Sequence, residues 1–175
     1  MKGLDYIMLK WFKDCKSIEE VKRLYKKLCK QYHPDLNASD TTEIMKAINA
    51  EYEKAFERFK NIHESAEDST KTYTSRTETT ETAAEFMNII NKLIFCNGLE
   101  LSICGKWLWA EGNTYSYRET LKSLGFRYAS KKKCWYWRKD EDASRNRKSL
   151  TLEEIKERYG CETFMSVSAP RLATV

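Results

Sequence analysis

The chain has 175 residues, of which 41% are hydrophobic and 33% charged, so it is long enough for one ordinary domain or two small ones. No run approaches eighteen consecutive apolar residues, and the charged N-terminal stretch lacks the features of a secretory signal, so a soluble cytoplasmic protein without membrane partners is expected. The net charge of +5 is unevenly spread, with +3 over residues 1–62, −3 over residues 63–98 and +5 over residues 99–175.

Two helices are predicted at the N-terminal end. Ser17 followed by Glu20 forms a capping box, and the apolar residues after it repeat at helical spacing until Pro34, which ends the helix. A second helix is predicted from Asp40, with its own apolar face. Because the connection is short and polar, residues 1–62 are predicted to form an antiparallel helical hairpin.

A polar linker is predicted at residues 63–82. Its sequence from residue 65, "SAEDSTKTYTSRTETTET", contains ten Ser or Thr residues and almost no large apolar ones. Such a segment cannot offset its ordering entropy by burial, so it is predicted to be a polar coil that separates two modules and is cut first by proteases.

The third segment, residues 83–175, is predicted to be a small α+β module. Its helical and alternating patterns predict a helix, a β-hairpin, a helix, a second β-hairpin around a basic turn, and a helix ended by Gly160. A further strand is predicted at residues 164–167. The fold class predicted for the whole chain is therefore α+β.

The cysteines and histidines give no support for a metal or cofactor site. There is no C-x-x-C pair, and only His33 and His63 are available as histidine ligands. Free, buried thiols are expected in a reducing compartment. No nucleotide-binding loop, catalytic triad or paired-carboxylate site is visible, so we expect neither catalytic residues nor enzymatic activity, and no cofactor.

The tripeptide His33-Pro34-Asp35 follows the first predicted helix. On spacing alone it indicates a proline that ends the helix, with Asp35 and Asn37 making turn hydrogen bonds. However, the run "EEVKRLYKKLCKQYHPDLN" followed by "IMKAINAEYEKAF" resembles a J domain, the module of DnaJ-type co-chaperones. The resemblance covers roughly residues 4–60 and rests on the tripeptide lying between two helices of these lengths.

The resemblance implies a partner, because J domains dock on the ATPase of a DnaK-type chaperone through this loop and the basic face of the preceding helix. Carried over to this sequence, the loop is His33, Pro34 and Asp35. The matching helix cations are Lys22, Arg23, Lys26, Lys27 and Lys30. Within this set, Lys22, Lys26 and Lys30 recur every four residues, which predicts an exposed cationic stripe. Such a stripe would steer the encounter with an acidic surface. A merely solvated helix face is the alternative.

Some features depart from the family pattern. Leu36 occupies a position where lysine is frequent in the family. The stretch "YIMLKWF", which corresponds to the family's first helix, is short, and no counterpart of the family's fourth helix is predicted. The chain also lacks a Gly/Phe-rich segment and C-x-x-C repeats. It therefore resembles the minimal co-chaperones, in which the remaining module directs the chaperone to a client or location, and more loosely the small J-domain proteins of bacterial or phage genomes.

The C-terminal module is rich in aromatic and basic residues. Residues 127–148 hold nine Lys or Arg against three acids. A candidate binding face comprises Trp107, Trp109, Lys131, Lys132, Lys133, Trp135 and Trp137. Such a set suits single-stranded nucleic acid or a protein client, and the tryptophans also suit a hydrophobic core. The leading functional hypothesis is a J-domain co-chaperone, and the alternative is a nucleic-acid-binding protein.

Overall fold

The protein has a mixed α+β architecture, as predicted. The computed structural model describes residues 9–37, 39–65, 71–75, 80–104, 107–139, 151–159 and 163–165. These residues form five α-helices and two antiparallel sheets. The helices are α1 (Ile18–Tyr32), α2 (Thr42–Phe59), α3 (Ala83–Leu93), α4 (Arg118–Ser123) and α5 (Leu152–Tyr159). The strands are β1 (Ile62–Glu64), β2 (Thr72–Thr74), β3 (Leu99–Cys104), β4 (Trp107–Gly112), β5 (Arg127–Ala129), β6 (Cys134–Trp137) and β7 (Thr163–Met165).

Helices α1 and α2 pack against each other. Ser17 caps α1 by accepting the Glu20 N–H at 3.1 Å, as its sequence predicts. Halfway along the pair, the rings of Tyr25 and Tyr52 stack with their centroids 4.0 Å apart. The chain before α1 joins the same core through the fully buried Phe12, whose N–H donates to the Glu51 carboxylate at 2.9 Å.

The predicted polar coil contains a strand. Ile62 to Glu64 pair with Thr72 to Thr74 in a two-stranded antiparallel sheet. The prediction of a coil throughout residues 63–82 is therefore wrong at β2 and at the last two residues of β1. The exposed Thr and Tyr residues of β2 have high β-propensity and pair with the neighbouring strand. The end of the segment is also anchored, since Glu81 is buried.

The C-terminal residues form a five-stranded antiparallel sheet with the strand order β5-β6-β4-β3-β7. The predicted sequence of a helix, a hairpin, a helix, a second hairpin and a helix is confirmed, and β7 supplies the additional strand close to its predicted position. Thr82 and Glu85 begin α3 with a complete capping box. The sheet thus combines the two predicted hairpins side by side.

One hydrophobic core joins α1 and α2 to α3 and the sheet. The Phe86 ring of α3 lies 6.4 Å from the Tyr25 ring and 6.1 Å from the Tyr52 ring, measured between centroids. Leu99 and Leu101 of β3 are buried in the same cluster. The side chains of the two predicted modules therefore pack together, and the module boundaries at residues 62 and 83 stay a prediction.

The thiols differ in one respect from the expectation. Cys15, Cys29, Cys96 and Cys134 are not disulfide-bonded. Burial raises the pKa of Cys29 to about 12 and that of Cys134 to about 11, so both are poor nucleophiles. Cys104, in contrast, is disulfide-bonded. Disulfide bonding requires a close approach of two Cα atoms in the folded chain, which the spacing of cysteines in the sequence does not reveal.

None of the helices in the described part of the chain is both long enough and apolar enough to cross a membrane.

Candidate functional site

The His-Pro-Asp tripeptide forms a short turn between α1 and α2. His33 ends α1, and Pro34 to Leu36 form a single turn of 3₁₀-helix. The His33 ring accepts the Asp35 N–H at Nδ1 over 3.2 Å, and the Asn37 side-chain amide donates to the His33 carbonyl at 2.9 Å. The predicted turn bond of Asn37 is thus present. These bonds hold the exposed Asp35 at the apex of the loop.

The loop also contacts the C-terminal part of the chain. The His33 ring packs edge-on against the ring of Phe95, with centroids 4.9 Å apart. Phe95 follows α3 directly, so the position of the loop depends on α3 as well as on α1 and α2. This contact could not be predicted, because a single half-buried phenylalanine after a helix carries no pattern.

Two of the five predicted docking cations are buried, so the prediction of an exposed stripe is wrong for them. Lys22 is 5% exposed and Lys26 is 8% exposed. The Lys22 ammonium lies 2.5 Å from a carboxylate oxygen of Glu81 and 5.3 Å from the centre of the Phe86 ring. The Lys26 ammonium donates to the Leu101 carbonyl of β3 at 2.5 Å. Both lysines therefore join α1 to the segment that covers it.

The physical reason is that α1 has two buried sides. Its apolar face packs on α2, while the side that carries Lys22 and Lys26 lies under α3 and β3. A buried ammonium must be paired, and the partners come from Glu81 and a strand carbonyl. Because both partners are distant in sequence, the helical periodicity of α1 alone does not reveal them.

Arg23 belongs to a buried polar network at the first turns of α1. Its guanidinium pairs with Glu64 of β1, which also accepts the Ser17 hydroxyl at 3.1 Å. The neighbouring Glu19 carboxylate lies 2.8 Å from Nδ1 of His63 and accepts the Glu64 N–H at 3.1 Å. Arg23 therefore has a structural role, because its ion pair with Glu64 holds β1 against α1.

The remaining members of the predicted set are accessible. Lys27 and Lys30 of α1 are exposed, as is Asp35. Within the described residues, no ion pair or side-chain hydrogen bond engages the Asp35 carboxylate. The site available to a partner is thus narrower than predicted and consists of the loop apex and the last two turns of α1.

The four tryptophans of the sheet lie on opposite faces. The strand register pairs Ala110 with Trp135 and Leu108 with Trp137, and these residues are buried in the main core. Trp109 instead pairs with Tyr136 on the outer face, where Trp107 and Trp109 stack with ring centroids 5.4 Å apart. A single face containing all four tryptophans is therefore excluded, and Trp135 and Trp137 are core residues.

The outer-face tryptophans are only partly accessible. Trp109 is buried, whereas Trp107 is half-buried and carries the Arg138 guanidinium 4.7 Å from its ring centre. Leu152 and Ile155 of α5 pack against this aromatic cluster. The outer face is thus largely occupied by the protein itself.

The predicted basic turn is present and projects from the sheet. Lys131 and Lys133 are exposed and Lys132 is half-buried, in the turn that joins β5 to β6. Lys133 adopts a left-handed conformation with φ of 53°. The turn is closed by a hydrogen bond of 3.0 Å from the Lys132 N–H to the Ala129 carbonyl.

Among the described residues, no group of three or more His, Cys, Asp or Glu side chains is arranged to hold a metal ion. Comparison of the chain with protein-family models, curated proteins and solved structures finds no match.

Proposed function

We infer that this protein is a J-domain co-chaperone that stimulates the ATPase of a DnaK-type chaperone. The observation that supports this function is the His-Pro-Asp turn, which lies between α1 and α2 and presents the Asp35 carboxylate to solvent. An exposed carboxylate on a braced turn can accept a charge-assisted hydrogen bond from a partner arginine. The resemblance of residues 4–60 to J domains assigns this partner.

The docking surface of this proposal is limited to exposed groups. Lys27 and Lys30 attract an acidic partner surface, while Asp35 makes the specific contact. Lys22 and Lys26 are excluded from the surface, since each is buried against α3 or β3. In this proposal, the residues from α3 onward direct the chaperone to a protein client or cellular location. They also complete the hydrophobic core against α1.

The steady-state ATPase rate of a DnaK-type chaperone tests the proposal. We expect the full chain to raise this rate and Asp35→Asn to abolish the increase, because the amide removes the charge while keeping the shape. The far-UV circular dichroism of the variant should match that of the parent chain. Full stimulation by the folded variant would refute the proposed mechanism.

Charge reversal on α1 is a second test. Lys27→Glu combined with Lys30→Glu should weaken docking on the order of tenfold at low salt, and the difference should diminish as salt screens it. Lys46→Glu combined with Lys54→Glu is the matched control, because both are exposed lysines on α2 and the change in net charge is the same. Equal losses in both variants would show that general charge, and not this end of α1, governs binding.

A further inference from the structure

The β5–β6 hairpin concentrates positive charge. Residues 127–139 contain six Lys or Arg and no acid, and the excess remains nine to three when the count extends to residue 148. Arg127, Lys131 and Lys133 are exposed. Lys139, two residues beyond β6, pairs with Glu85 of α3. The tip and the outer edge of the hairpin therefore present cations to solvent.

The backbone conformation of the turn indicates that the lysine side chain at its last position has a function. Lys133 has a positive φ of 53°, a region in which glycine or asparagine is favoured and a lysine is strained. A glycine there would relieve the strain, yet the chain carries a third consecutive lysine. A local conformational cost at an exposed position points to a use of the side chain.

An exposed aromatic ring lies beside these cations. Tyr128 is 52% exposed although it lies on a strand. The Trp135 ring supports it, with centroids 5.4 Å apart and planes inclined by 57°. Among the described strands, β5 is the last on its side of the sheet, so none of them covers this edge. The Tyr128 ring is thus held in place while remaining accessible.

We propose that the β5–β6 hairpin binds single-stranded nucleic acid, with the turn lysines contacting phosphates and Tyr128 stacking on a base. Exposed cations and a supported aromatic ring are the two elements that such ligands require. Duplexes are disfavoured, because a ring can stack only on an unpaired base. An unfolded polypeptide would use the tyrosine but would gain little from three lysines in succession.

Two carboxylates line the groove beside the turn in the described part of the chain. Lys131 and Lys132 line a groove of about 380 Å³ against α5, in which the two lining carboxylates belong to Glu111 and Glu153. Glu111 is paired with Lys156. The groove therefore retains an excess of positive charge beside the turn.

Fluorescence anisotropy of labelled oligo-dT and oligo-U of equal length, with a matched duplex, tests the proposal on the full chain. We expect both single strands to bind, with affinity falling steeply between about 50 and about 200 mM salt, and the duplex to bind more weakly. The ratio of the two single-strand affinities identifies DNA or RNA as the preferred source. Equal or tighter duplex binding, or binding insensitive to salt, would overturn the proposal.

Two variants locate the site. Lys131→Ala with Lys133→Gly should lower the salt slope by about 1 for each lysine removed, and its melting temperature should not fall. Tyr128→Ala should weaken binding by roughly tenfold through lost stacking, whereas Tyr73→Ala, an exposed tyrosine on the other sheet, should not. Unchanged affinity in both hairpin variants would refute the assignment. The ATPase test of the co-chaperone function is independent of these results.

Discussion

The Glu19 carboxylate links the first turn of α1 to the strand that follows α2. Burial raises the pKa of this group, but the hydrogen bond and charge of His63 outweigh burial, so the pKa lies below its ordinary value of 4.5. Glu64 shows the opposite balance, because burial raises its pKa despite the contact with Arg23. The pKa values of the two neighbouring carboxylates are therefore shifted in opposite directions from the ordinary value.

This difference leads to a pH-dependent prediction for Glu19→Gln. A lowered folded-state pKa gives stability that is present above the ordinary value of 4.5 and is lost as the pH falls through the folded-state pKa. At neutral pH we expect Glu19→Gln to reduce the free energy of unfolding by about 2 kcal/mol, since it removes a charged partner of a buried hydrogen bond. As the pH falls below 4.5, the difference in the free energy of unfolding between the variant and the parent chain should narrow.

Urea unfolding of both proteins across this pH range measures the gap. Because the charge of Glu19 contributes to the raised pKa of Glu64, the comparison is repeated in a Glu64→Gln background, where that titration is absent. Glu57→Gln is a suitable control, because Glu57 makes only a partly exposed pair with Lys60 and its loss should be close to zero. A gap that stays constant from neutral to acidic pH would show that Glu19 acts through packing and not through its charge.

The β3–β4 hairpin depends on a close backbone contact at its open end. Gly112 has φ of +76°, and a Cβ added there would lie 2.3 Å from the Gly98 carbonyl oxygen. Two backbones must separate to admit a side chain, which adds a steric cost to the conformational one. We therefore expect Gly112→Ala to lower the free energy of unfolding by at least about 2 kcal/mol.

Gly125→Ala is the matched control for this element. Gly125 also has a positive φ, of +83°, but the nearest atom to an added Cβ is 3.6 Å away on the Trp137 ring. Its loss should be limited to the conformational term of roughly 1 to 2 kcal/mol. Thermal melts of the two variants compare them directly, and equal losses would contradict the proposed backbone clash.

The positions of the helices and strands could be predicted from the sequence more accurately than the sides on which their residues lie. Capping residues and periodicity located α1, α2 and α3, because those signals are local. The spacing of Trp107 and Trp109 correctly places them on one side of β4. It cannot say that Trp135 and Trp137 occupy the opposite side, since that depends on the register in which Trp109 meets Tyr136. Register is a tertiary property.

In the candidate site, the burial of Lys22 and Lys26 likewise could not be predicted from the local sequence. Lysines at four-residue spacing normally indicate a solvated helix face. Here the cover consists of α3 and β3, which lie more than fifty residues further along the chain. The His-Pro-Asp turn was predictable because its bonds are local. The part of α1 that stays accessible was not predictable from local signals.

At the scale of the whole molecule, the cover over α1 is tightly attached. Phe86, Ile90 and Leu93 of α3 are almost fully buried. Exposing each would lose about 1.5 to 3 kcal/mol, so removing α3 would consume much of the 5 to 15 kcal/mol that stabilises a typical domain. Detachment of α3 to expose Lys22 is thus disfavoured, and α1 is expected to be unstable without α3.

The last prediction concerns cooperativity. If α1 and α2 depend on α3 and the sheet, all of them should unfold at one denaturant concentration. In a Trp11→Phe chain, tryptophan fluorescence reports on β4 and β6, while hydrogen exchange of α1 amides reports on the helices. We expect the two probes to give the same midpoint.

Phe86→Ala makes this test decisive, because the Phe86 ring lies against both Tyr25 and Tyr52. The free energy of unfolding should fall by about 3 to 5 kcal/mol, and by the same amount at both probes. In a chain of two independent modules joined by a linker, α1 and the sheet would have separate midpoints, and the substitution would shift them unequally. That outcome would restore the predicted boundary at residues 63–82 and would leave α1 and α2 free to act without α3.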